Sequence, residues 1–113
     1  MKMKYKIIWS KDAGEEFIEI LSWYKYNVGK NIAQKIYSKI NAQIKKLKDM
    51  PGIGKTVQIL KDIGVNDYRQ IIQDNWILYY KVEEQNVNII SIIDGRRNLE
   101  EILYKKIIDG KIK

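Results

Sequence analysis

The chain has a single proline, Pro51, and the hydrophobic rhythm differs on its two sides. Upstream, Ala13, Phe17, Ile20, Leu21, Tyr24 and Val28 recur at three- and four-residue steps, the spacing of one helical face. Ser10 stands where an N-cap belongs, with Asp12, Glu15 and Glu16 near the positive end of the helix dipole. Asn27 and Gly29 are stop signals. A second stripe, Ala33, Ile36, Tyr37, Ile40, Ile44 and Leu47, predicts a helix over about 31–48. Two amphipathic helices with so short a link form an antiparallel hairpin, and each needs a flat surface to cover its apolar face.

After MPGIG (50–54), a helix terminator and turn, the pattern becomes that of strands. YRQIIQ (68–73), WILYYKV (76–82) and VNIISII (87–93) follow one another through short polar connections, which predicts an antiparallel meander. The last is apolar on both faces and should be the most buried. KYKIIW (4–9) reads as a leading strand, and 57–60 as a short extended or irregular piece. Residues 98–108 read as a closing helix with Leu99, Ile102, Leu103 and Ile107 inward, before a frayed tail. The expectation is an α+β fold: a leading strand, a helical hairpin on a three- to four-stranded antiparallel sheet, and a short final helix. At 113 residues the chain suits one domain over 1–113.

Two absences narrow the chemistry. There is no cysteine and no histidine, which removes thiolate nucleophiles, the usual neutral-pH base and the commonest metal ligands. No cofactor or metal is expected. No apolar run approaches the roughly 18–20 residues of a membrane span. The basic start MKMKYKIIWS lacks the roughly 7–15-residue apolar region of a signal peptide, so the cytoplasm is the expected compartment. Net charge is +7 and uneven, with 11 lysines against 5 acids in residues 1–50. Such a surface favours anionic partners, nucleic acid or an acidic protein.

The chemistry-bearing candidates lie in the second half. Arg69 follows Tyr68 at the start of one strand, while Arg96 and Arg97 end another. With Lys81 they are expected to form one cationic patch on the sheet face away from the hairpin, suited to phosphate or carboxylate. The plainer reading pairs Arg69 with Asp67 or Asp74, and Arg96 or Arg97 with Glu100 or Glu101. Adjacent strand residues face opposite ways. Tyr80, in company with Trp76, Leu78 and Val82, therefore goes to the core, and Tyr79 is the candidate for exposure. Trp9 and Trp23 read as packing.

The order of these elements, with PGIGK, YRQII, WILYYKVEE and NIISIIDGRRNLEEIL in sequence, resembles the RelE/ParE superfamily of toxins from type II toxin–antitoxin systems. The resemblance implies a toxin restrained by a cognate antitoxin, which the basic surface suggests is acidic. One branch cuts mRNA on the ribosome without metal, using basic side chains and a C-terminal tyrosine; Arg69, Lys81, Arg97 and Tyr104 would be its catalytic set here. That branch places cations where this chain has Ile71 and Ile77. The turn and the IDGRR close resemble the ParE-like branch, which implies an inhibitor of DNA gyrase rather than an enzyme, with Arg69, Arg96 and Arg97 meeting the target. Asp94 departs from the histidine many relatives carry there, and an acid at that position can pair with Arg96 or Arg97.

Overall fold

The computed structural model describes residues 4–113; the basic start at 1–3 lies outside them. Strand β1 (Lys6–Trp9) leads into helices α1 (Lys11–Asn27) and α2 (Lys30–Asp49). A 3-10 turn at Pro51–Ile53 precedes β2 (Lys55–Thr56) and the one-turn helix α3 (Gln58–Lys61). Strands β3 (Tyr68–Gln73), β4 (Trp76–Glu83) and β5 (Asn86–Asp94) follow, then helix α4 (Leu99–Ile108). The α+β architecture is the expected one. The sheet is wider than expected, with five strands in the order β1-β5-β4-β3-β2. The hairpin carries the chain across, so β1 lies parallel to β5 while every other pairing is antiparallel.

Both sheet faces are covered. On one, Leu78, Tyr80, Val87, Ile89 and Ile92 pack against Phe17, Ile36, Ile40, Ile44 and Leu47 of the hairpin. On the other, Tyr68, Ile77, Tyr79 and Ile93 pack against Val57, Leu60, Leu103 and Ile112. Each large aliphatic side chain removed from water contributes about 1.5–3 kcal/mol, so a strand covered twice contributes roughly double. This explains why β4 is buried at every position from Trp76 to Tyr80. It also corrects the reading of Tyr79, which is as buried as Tyr80 because α4 and the tail lie over it. The tail is not frayed: Ile112 is buried, and the Lys113 amide donates to the Tyr68 hydroxyl at 3.0 Å.

Strand β1 accompanies β5 only from Asn86 to Ile89. Beyond that point a bulge shifts the β4–β5 register, Tyr80 facing Ile89 and Tyr79 facing Ser91, and α1 takes over the open edge. The Ser10 amide donates to the Ile89 carbonyl, and its hydroxyl donates to that of Ile90 at 3.0 Å. The Glu16 carboxylate accepts from the Ser91 hydroxyl at 2.8 Å and from the Ile92 amide at 3.2 Å. Lys106 of α4 lies 2.8 Å from Asp12 and 3.4 Å from Glu16, with its side chain only 9% exposed. Lys111 makes a second bond to Asp12 at 2.9 Å.

A second lock holds the proline turn. The Tyr80 hydroxyl donates to the Pro51 carbonyl at 2.7 Å and accepts from the Gly54 amide at 2.9 Å. Arg69 donates to the Gly54 carbonyl at 2.8 Å and reaches that of Gly52 at 3.4 Å. Gly54 has no room for a side chain: a Cβ there would collide with the Tyr80 hydroxyl and stand 2.9 Å from the Gln70 carbonyl oxygen.

Two outcomes follow from these locks. Arg69→Ala removes a charge-assisted bond to a backbone carbonyl and should cost about 1–2 kcal/mol, read as a lower denaturant midpoint. Gly54→Ala should lower it further. For the Lys106 clamp, hydrogen bonding from Lys106 holds the Asp12 carboxyl below its ordinary range. The unfolded chain then binds the proton more readily, so this stabilisation is present above the ordinary carboxylate pKa of 3.8 and fades as pH falls below it. Lys106→Met should flatten that acid dependence and cost about 3 kcal/mol at neutral pH by leaving two carboxylates short of a partner. Urea unfolding at stepped pH checks both effects; an unchanged pH profile would contradict the clamp.

Candidate functional site

Strand β5 ends at Asp94, and the chain turns where the Gly95 amide donates to the Asn75 carbonyl at 2.7 Å and that of Arg97 to the Asp94 carbonyl at 3.1 Å. Asn98 then caps α4, its side chain accepting from the Glu101 amide at 3.2 Å. The turn treats the two arginines differently. Arg96 clasps Asp94 through Nε at 3.0 Å and through a second guanidinium nitrogen at 2.6 Å, and its amide donates to the same carboxylate at 2.9 Å. These Arg96 contacts hold the Asp94 carboxyl down at about 2, so it carries its charge at physiological pH. The Arg97 side chain is exposed and, among the described residues, makes no ion pair or side-chain hydrogen bond.

Arg97 stands on the rim of an open cleft of about 360 Å³ between α1 and the end of β5. The cleft exists because β1 stops at Trp9, opposite Ile89, leaving space between the sheet edge and the outer flank of α1. Its floor is aromatic. Trp23 meets Tyr24 edge-on with ring centroids 4.9 Å apart, and Tyr24 meets Trp76 edge-on at 5.6 Å. Trp23 is 56% exposed, which corrects its reading as a packing residue. Trp9 does pack, half-buried and stacked on Phe17 at 5.4 Å. The opposite wall carries Glu19, which is exposed and has no ion-pair partner among the described residues.

The four cations do not converge. Arg69 faces Tyr80 across β3–β4, on the hairpin side, while Asp94 faces Trp76. Four residues along the strands separate these positions, roughly 13 Å, and Arg96 and Arg97 lie further out. Neither Asp67 nor Asp74 holds Arg69, which is spent on the proline turn; Asp74 pairs with Lys39 at 3.3 Å. Lys81 points to the other face, 5.2 Å from the Tyr68 ring centroid and 3.5 Å from Glu83. The expected single patch is therefore not formed. Tyr104 is half-buried on α4. Burial pushes the Tyr79 hydroxyl up to about 12 and raises that of Tyr80, which suits neither to accept a proton near neutrality. Among the described residues no cluster of three or more acidic side chains is placed to hold a metal, and no helix is long and apolar enough to cross a membrane.

A second groove lies on the other flank of α1, bounded by Leu21, Lys25, Lys30, Ala33 and Tyr37 of the hairpin. It is apolar at its base, and among the described residues Lys25 and Lys30 are its only charged ones. Sequence reasoning did not single out either groove. The signal it had was α1's aromatic run, Trp23-Tyr24 and Tyr26, which is wider than one buried stripe requires.

Known proteins share this fold. A chain of the chromosomal ParDE toxin–antitoxin system from P. aeruginosa has the same fold, with a TM-score of 0.66 at 19% sequence identity, covering 83% of this chain and 98% of its own. No curated protein sequence matches. The sequence model described as the ParE toxin of the type II toxin-antitoxin system parDE matches residues 7–99. That span takes in the hairpin, the sheet and the arginine turn, and the chain belongs to the ParE toxin family.

Proposed function

We infer that residues 1–113 act as one cytoplasmic toxin domain that arrests growth by binding DNA gyrase, and that an acidic antitoxin neutralises it. The observation that carries this reading is the dispersal of the cations. Metal-free cleavage of RNA needs several positive groups around one phosphate and a proton acceptor beside it. Here Arg69 is committed to carbonyl oxygens, Lys81 faces the other side of the sheet, and the buried tyrosines hold their protons. Arg97, with Arg96 beside it, is left as a contact residue on an exposed turn, a role in which one guanidinium suffices. Arg69, which holds the proline turn, lies apart from these two.

The hairpin groove supports the antitoxin part. An amphipathic helix can lay apolar anchors along Ala33 and Tyr37 while its acidic face meets Lys25 and Lys30, which also speeds encounter. The free edges of β1 and β2 offer backbone partners to an extended segment.

Induced expression discriminates the targets. The expected result is growth arrest with broken chromosomal DNA, intact transcripts and purified toxin inhibiting gyrase supercoiling. Codon-positioned mRNA cuts with undamaged chromosomes would instead assign the ribonuclease activity.

A further inference from the structure

The cleft beside α1 holds five charged side chains, and three of the five cancel internally or against the scaffold. Asp94 is forked by Arg96, and Glu16 is taken up by Ser91, Ile92 and Lys106. What is left among the described residues is one free cation, Arg97, and one free anion, Glu19, with the aromatic floor of Trp23, Tyr24 and Trp76 shared between them. A polyanion is a poor fit for such a site, because Glu19 repels a phosphate backbone and Arg97 alone is left to attract one. The hairpin groove, whose charges are all positive, differs in kind although it shares α1 as a wall.

We propose that the α1–β5 cleft is the target-recognition site, and that it takes a segment of a folded protein bearing an apolar or aromatic side chain flanked by one acidic and one basic residue. The apolar side chain seats on Trp23 and Tyr24, whose exposed ring faces lose water on contact. The acid meets the Arg97 guanidinium, which is free to offer a bidentate fork. The base meets Glu19. Opposite charges at the two sides fix the direction of the segment, and a reversed segment would set like charges together. Because the antitoxin groove opens on the other flank of α1, substitutions in the cleft separate target recognition from neutralisation. This inference rests on reading the protein as a target-binding toxin.

The test reverses each charge by itself in the full chain, as Glu19→Lys and Arg97→Glu, with Trp23→Ala as the apolar variant. Growth arrest on induction and affinity for purified gyrase are measured together, with antitoxin binding and thermal midpoint as controls for folding. All three variants should arrest growth about tenfold less effectively or worse at equal expression, while antitoxin affinity and midpoint stay within error of wild type. The sign of the Glu19 effect is decisive. A nucleic-acid ligand predicts that Glu19→Lys strengthens activity, and that result, or no effect of Glu19→Lys, overturns the proposal. A wild-type chain that causes no arrest overturns it as well. Loss of arrest in all three variants, with a wild type that arrests growth but leaves gyrase untouched, supports the cleft while removing gyrase as the target.

Discussion

The Glu16 carboxylate stands where a sixth strand would otherwise be required. Strand β5 is buried at Val87, at Ile89 and from Ser91 to Ile93, yet its parallel partner ends halfway along it. An unpaired amide beside so apolar a strand costs about as much as a lost hydrogen bond, on the order of 1–3 kcal/mol. Glu16 accepts from that amide, at Ile92, and from the Ser91 hydroxyl, and its remaining charge is met by Lys106 from the far side of the sheet. One side chain thus ties the hairpin layer to the final helix around the sheet edge. The arrangement lets the edge stop early without an orphaned backbone group, and the space so left becomes the cleft.

The three longer helices, the meander and the α+β class were legible because each rests on local periodicity, whereas 57–60, read as extended or irregular, holds the one-turn helix α3. What escaped were features set by coverage from distant segments. Tyr79 looked available for exposure because alternation assigns it to the face away from the hairpin; α4 and Ile112 cover that face, and neither is near it in sequence. The tail looked frayed because DGKIK is polar, but one isoleucine and the Tyr68 hydroxyl suffice to dock it. The parallel pairing of β1 could not be read from KYKIIW, since a strand's own pattern does not say where a helical hairpin will return the chain.

The site was legible in part. The arginine turn was read from its sequence, and Asp94 as a partner for one of the arginines follows from its two-residue spacing. Which arginine it takes depends on backbone direction: the fork closes on Arg96 because that residue's amide and guanidinium both face the carboxylate. Arg69 illustrates the opposite case. Its candidate partners in sequence were acids, whereas the structure gives it the carbonyl oxygens of a glycine-rich turn. Carbonyl acceptors are invisible to reasoning from side chains alone, and a half-buried arginine takes them readily because its guanidinium offers only donors.

Target binding falls to a short stretch of surface, residues 19–24 of α1 and 92–97 at the end of β5. Hydrogen–deuterium exchange of the toxin with and without purified gyrase tests that assignment most directly. The predicted result is slowed exchange in the backbone amides of both segments on binding, with the hairpin residues Lys30–Ser38 unchanged. Protection confined to Lys30–Ser38, or to the β3–α4 side of the sheet, would contradict it.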